Sequence, residues 1–193
     1  MAEALLTDRL AALGSATTVR SAGMLGEGEP PRPEAMTAMA GYGLDIAMHR
    51  SRQVTAEDLE AADLTLAMAR ENLRHAVVTA PAAWPRAFTL RELVRRGGAV
   101  GPRATTECLA DWLARAHEGR QRAALLGDSA ADDVPDPTGG PPRGYTQTAA
   151  TLSALLDQLV GLCWGSAEHD NSGVVMRAGP AGEDPRSFGS NQE

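Results

Sequence analysis

Short β-favouring runs alternate with longer helical stretches along this chain, and that alternation restricts its fold more than any other feature. Thr17-Thr18-Val19-Arg20-Ser21-Ala22-Gly23, Asp63-Leu64-Thr65-Leu66-Ala67-Met68 and a run around Ala87-Phe88 read as strands of at most about six residues. Between them lie helical patterns. Residues 2–13 place Leu5, Leu6, Leu10 and Leu13 at helical spacing, with Gly14 as the stop. Pro33 opens a helix through Met36, Met39 and Ala40 that Gly41 and Gly43 close, and Thr55 with Asp58 forms a capping box at the start of a short one. Residues 70–79 are helical, Pro81 breaks that helix, and Thr89 caps another through Leu90, Leu93 and Val94 that ends at Gly97-Gly98. Residues 106–126 predict one long helix, and residues 144–163 a final amphipathic one through Leu152, Leu155, Leu156, Leu159 and Val160. Strands separated by helices argue a parallel α/β sheet with crossover helices. In such sheets ligands sit at the C-terminal ends of the strands, close to helix N-termini.

At 193 residues the chain is one domain, residues 1–164, with a tail. From residue 165 Gly, Pro, Ser, Asn and charge dominate, so the tail at 165–193 is expected to be disordered. Aromatics are only 4%, so Ala, Leu and Val must fill the core. All 18 basic residues are arginine, which excludes a lysine Schiff base and a phosphate loop ending in Gly-Lys-Ser/Thr. A net charge of −7 with scattered arginines disfavours nucleic acid as a partner. No apolar run reaches the length of a membrane span and no basic segment precedes an apolar one, so a cytoplasmic protein is expected.

The candidate chemistry sits in Asp133-Val134-Pro135-Asp136-Pro137-Thr138-Gly139-Gly140, where two prolines hold a carboxyl that a glycine turn follows. Asp136 reads as a presented general acid or as an ordinary turn residue, and Asp133 as a turn or capping acid. Cys108 and Cys163 fit neither a metal spacing nor a disulfide framework, and His49, His75, His117 and His169 are dispersed, so no metal site is expected. Cys108 falls near the start of a helix, where a thiol acidifies, but a buried structural cysteine is the simpler reading. Cys163 ends a helix beside Trp164, where the helix dipole disfavours a thiolate. His49-Arg50-Ser51-Arg52 could receive a phosphate, yet reads better as a surface loop whose arginines pair with Glu57 or Asp58. His75 reads as a packing or surface residue.

The order of these pieces resembles the low-molecular-weight protein-tyrosine phosphatase family. The resemblance is carried by Met1-Ala2-Glu3-Ala4-Leu5-Leu6, Ser21-Ala22-Gly23, Gly43-Leu44-Asp45-Ile46 with the following His49 to Thr55 segment, Asp63 to Met68, Phe88-Thr89-Leu90-Arg91-Glu92-Leu93, and Asp133 to Pro137. The insertion between Gly97 and Ala131 looks like the actinobacterial branch. The resemblance implies a three-layer α/β sandwich with a small parallel sheet flanked by helices. It also implies a Cys-x5-Arg-Ser loop, after a central first strand, whose thiolate attacks phosphorus. Met1 begins already inside the helix that follows that loop, so the central first strand and the nucleophile are expected to be missing and the chain inactive as it stands. Cys108 cannot substitute, because its arginine, Arg115, lies one residue too far. What carries over is Asp136 as the general acid that protonates the leaving group. Thr138 falls on the pocket rim, where the family usually has an aryl-stacking tyrosine. The implied partner is a phosphorylated protein or a small aryl phosphate, with no cofactor. Thioredoxin-coupled arsenate reduction, known in a related branch, is disfavoured because Ala80 stands where its first redox cysteine would be. The alternative is a degenerate, non-catalytic member that acts as a binding module.

Overall fold

A parallel strand pair needs a crossover, and residues 68–86 supply it. In the computed structural model, which describes residues 1–24 and 26–165, β1 (Thr65–Ala67) and β2 (Ala87–Thr89) pair in parallel, with Thr65 opposite Ala87, Leu66 opposite Phe88 and Ala67 opposite Thr89. Helix α4 (Arg70–Thr79) and a 3-10 turn (Pro81–Arg86) make the return. The turn is forced at Pro81, which has no amide hydrogen to continue the helix. All three residues of β2 are buried, as befits a strand covered on both faces.

Helices cover both faces of this sheet. On one side α1 (Ala2–Ala12), α2 (Pro33–Ala40), α5 (Leu90–Val100), α6 (Leu109–His117) and α7 (Pro142–Cys163) share a core that includes Leu5, Met39, Phe88, Leu93, Trp112 and Leu156. On the other, α3 (Ala56–Ala61), α4 and the 3-10 turn bury Leu59, Leu73, Ala76, Ala80 and Trp84. The result is the helix–sheet–helix layering that the alternation of elements predicts.

Several local expectations hold for local reasons. The Thr55 side chain accepts from the Asp58 amide while the Asp58 carboxylate receives the Thr55 amide, a reciprocal cap of α3. The Thr89 hydroxyl receives the Glu92 amide and starts α5. Gly14 takes φ 65° after α1, the left-handed stop a glycine tolerates.

Three expectations need correction. Residues 17–22 form no strand: the Ser21 amide donates to the Glu3 carboxylate at 3.1 Å and the Ser21 carbonyl accepts from Arg52 Nε at 3.0 Å. Side chains thus take the places of a neighbouring strand, and only Gly23 makes a parallel bridge, to Gln53. Gly97-Gly98 does not end α5, which runs to Val100 and stops at Gly101 with φ 83°. Gly97 instead lies against the Trp112 indole, where any Cβ would come within 2.7 Å of the ring. The helix expected over residues 106–126 is only α6, because Gly119 turns left-handed at φ 73° and a separate 3-10 turn (Arg122–Leu125) follows. Beyond Gly165 the tail lies outside the described residues.

Candidate functional site

The Asp-Pro loop is fastened at both ends to the rigid parts of the fold. The Val134 amide donates to the Met68 carbonyl, just past the C-terminal end of β1, at 2.7 Å, and the Val134 side chain is buried in the core. Downstream, the Thr148 hydroxyl of α7 donates to the Pro135 carbonyl at 3.2 Å. The Gly140 amide closes a turn onto the Pro137 carbonyl at 2.9 Å, with Gly139 at φ 78°. Between these anchors Asp136 is exposed, and its Oδ1 accepts the Thr138 amide at 2.9 Å, an Asx turn that orients the carboxyl. Thr138 is exposed beside it. The arrangement presents one carboxyl oxygen to solvent at the C-terminal edge of a parallel sheet, where proton transfer to a ligand is geometrically open.

The three aspartates at positions 132, 133 and 136 have three different fates. Asp133 is a cap: its Oδ1 accepts the Arg70 amide, the first of α4, at 2.7 Å and its Oδ2 the Ser129 amide at 2.9 Å. Asp132, which the sequence did not single out, is buried and holds the stem of the loop. Its Oδ2 takes Nε and Nη2 of Arg70 at 2.9 and 2.7 Å, and its Oδ1 takes Nη1 of Arg95 at 2.7 Å. Burial alone would raise its pKa, but the two guanidinium groups outweigh that and hold the carboxyl below the usual aspartate range. No local signal marks Asp132, since its partners lie 62 and 37 residues away.

Near the start of α1 the Glu3 carboxylate receives both the Ser21 hydroxyl and the Ser21 amide, with His49 Nδ1 at 3.6 Å. Arg52 pairs with Asp58 at 2.8 Å, so the His49 to Arg52 segment is a surface loop with a paired arginine, as the sequence suggests. His75 is exposed on α4. Neither cysteine is set up as a nucleophile. Cys163 is buried, and desolvation pushes its thiol up to about 12. Cys108 is exposed and not buried as expected: it is itself the N-cap of α6, its Sγ accepting the Asp111 amide at 3.4 Å, so it belongs to the helix surface. Among the described residues no group of three or more His, Cys, Asp or Glu side chains is placed to hold a metal ion.

The family described as low molecular weight phosphotyrosine protein phosphatase matches this chain over residues 1–99. A probable low molecular weight protein-tyrosine-phosphatase, EpsP of Ralstonia solanacearum, is 35% identical over 94 residues, 48% of this chain and 62% of that protein. The match therefore spans less than two thirds of that relative. Among solved structures, the low molecular weight protein tyrosine phosphatase of T. tengcongensis is 32% identical with a TM-score of 0.61, covering 82% of this chain and 86% of that one. The YwlE arginine phosphatase of Geobacillus stearothermophilus is 26% identical with a TM-score of 0.58, covering 82% and 79%.

Proposed function

The chain belongs to the low molecular weight phosphotyrosine protein phosphatase family, and we propose that it serves phosphomonoester hydrolysis with Asp136 as the general acid. The observation that carries this reading is the exposed Asp136 carboxyl, oriented by the Thr138 amide on a loop pinned to the end of β1. Such a carboxyl, protonated, donates to the leaving oxygen as the bond to phosphorus breaks. Thr138 lies on the rim of the substrate pocket. The substrate class is a phosphorylated protein or a small aryl phosphate, acted on in the cytoplasm; no described helix is long and apolar enough to cross a membrane.

The nucleophile is not supplied by these residues. No Cys-x5-Arg occurs in the 193 residues, Cys163 is held protonated and Cys108 caps a helix. An acid alone contributes about 10²–10⁴-fold. The 193-residue chain by itself is therefore expected to turn over p-nitrophenyl phosphate negligibly. When a strand and a Cys-x5-Arg-Ser loop precede it, turnover should appear and depend on Asp136. In that longer protein Asp136→Asn should lose about 10²-fold or more on alkyl or phenyl phosphates, and less on p-nitrophenyl phosphate. Equal losses on poor and good leaving groups would remove Asp136 from the acid role. The alternative reading is a non-catalytic member that binds a phosphoprotein. Persistent inactivity of the longer protein, with retained binding of a phosphopeptide, would establish it.

A further inference from the structure

A cleft of about 270 Å³ opens beside the stem of the Asp-Pro loop, and its charges do not balance. Four guanidinium groups, those of Arg70, Arg95, Arg96 and Arg120, line it against two carboxylates, Asp132 and Glu92. Both carboxylates are committed. Asp132 spans Arg70 and Arg95, and Glu92 takes Arg120 in a two-point fork at 2.8 and 2.9 Å. This leaves two positive charges in excess within a chain of net charge −7. Burial pulls Arg120 below the ordinary arginine range despite Glu92, with a smaller push from the adjacent Arg96 charge.

The donors that remain point to a ligand. Arg95 has a half-exposed side chain that spends only Nη1 on Asp132, so Nε and Nη2 have no partner among the described residues. Arg96 spends Nε and Nη2 on the Ala116 and Glu118 carbonyls and leaves Nη1 without a partner among them. Gln121 lines the same wall. Arginine forks match phosphate oxygens in two-point geometry, and partial exclusion of water strengthens that pairing. The volume is below the roughly 300–1,000 Å³ of pockets that take drug-sized ligands, which selects a small ligand and not a peptide. The Arg120 guanidinium already occupies one face of the Trp84 ring, at 3.9 Å.

We propose that this cleft is a binding site for a small phosphoryl dianion, held by Arg95 and Arg96 with Gln121 at the mouth. The site is separate from Asp136 and needs no catalysis. Because its wall includes Asp132, an anion here recruits the same Arg95 that steadies the stem of the acid loop.

Amide chemical-shift mapping of the 193-residue chain tests this, with inorganic phosphate in one arm and glycerol 3-phosphate in the other, and chloride at matched ionic strength as the control. Saturable shifts at Arg95, Arg96 and Gln121 are expected in at least one arm, with a dissociation constant on the order of 1 mM or tighter. Tighter binding of the ester identifies a phosphorylated small molecule as the natural ligand, and equal binding identifies free phosphate. Arg95→Gln, at a half-exposed position, should weaken binding about tenfold, and Asp136→Asn should leave it unchanged. Absence of saturation up to about 20 mM, a shift map centred elsewhere, or affinity unaltered in both Arg95→Gln and Arg96→Gln overturns the proposal.

Discussion

Adjacent glycines in α5 should respond in opposite directions to the same added methyl. Both Gly97 and Gly98 lie inside the helix, where Gly→Ala ordinarily stabilises by about 0.5–1 kcal/mol through backbone entropy. At Gly98 a Cβ meets nothing within 4 Å, so the whole gain should be realised. At Gly97 the Cβ would lie 2.7 and 2.9 Å from Cζ2 and Cη2 of Trp112 and 3.2 Å from Cδ1 of Leu162. The indole cannot swing aside cheaply: it is fully buried and its Nε1 donates to the Gly101 carbonyl at 2.9 Å. Overpacking a filled core costs about 1–3 kcal/mol, and displacing that hydrogen bond about another 1 kcal/mol. After the helix gain, Gly97→Ala should destabilise by about 1–3.5 kcal/mol and Gly98→Ala should stabilise by about 0.5–1 kcal/mol. For a chain of this length each kcal/mol moves Tm by roughly 2–4 °C. Thermal unfolding followed by circular dichroism should therefore place the two variants about 3–18 °C apart, with wild type between. A Gly97→Ala protein as stable as Gly98→Ala would show that the helix spacing α5–α6 is not set by that glycine.

Arg120→Lys should destabilise by about 2–4 kcal/mol in denaturant titration, nearly as much as Arg120→Ala, because a point charge can neither fork onto Glu92 nor lie flat between Trp84 and Phe88; a stable lysine variant would refute this. Acid should weaken the fold in two steps. Desolvation first, then Arg120 and Arg96, hold His117 below its ordinary range, so stability should begin to fall as pH drops through about 6.5, where the unfolded histidine takes its proton first. Asp132, held low by Arg95 and Arg70 against its burial, should add a second loss as pH falls below about 4. Melting temperatures across this range should lose the upper step in His117→Gln, and a step that survives there contradicts the assignment. Ellman's reagent should titrate Cys108 quickly in the native chain and Cys163 only after unfolding, given a thiol pushed up to about 12; two fast thiols would contradict the burial of Cys163.

What the sequence shows correctly is what neighbouring residues decide among themselves. The Thr55–Asp58 box, the Thr89 cap and the Gly14 stop each involve residues within about one helical turn, and each forms as read. The bounds of α4 are likewise local, since Pro81 ends what Arg70 begins. The failures need a distant partner. Residues 17–22 have β-branched character, yet a strand exists only when another strand pairs with its amides and carbonyls, and here Glu3 takes the Ser21 amide and Arg52 the Ser21 carbonyl. A Gly-Gly pair is helix punctuation by local rules, and only the indole of Trp112 makes Gly97 a packing residue. The site divides in the same way. Asp-Pro followed by Gly-Gly announces a turn, whereas the division of labour between Asp132 and Asp133 depends on Arg70 and Arg95, which no window of sequence contains.

The absence of lysine takes on positive meaning in the structure. From sequence it serves only to exclude lysine chemistry, but in the fold the arginines act largely as clamps on backbone carbonyls. Arg74 donates to Leu125 and Gly127, Arg86 to Ala62 and Glu60, Arg96 to Ala116 and Glu118, and Arg120 to Trp84 and Ala87. Apart from Ala87, which opens β2, these carbonyls lie at helix ends or in connecting turns, where backbone acceptors would otherwise go unsatisfied. A planar fork spans two such acceptors with one ordered side chain, whereas an ammonium concentrates its donors at a point. With strands of only three residues in β1 and β2, the sheet contributes few cross-links of its own. Guanidinium bridges between loops and layers therefore carry part of the connectivity that a wider sheet would supply. The same commitment explains why the cleft beside Asp132 stands out: there Arg95 and Arg96 keep donors that no carbonyl has claimed.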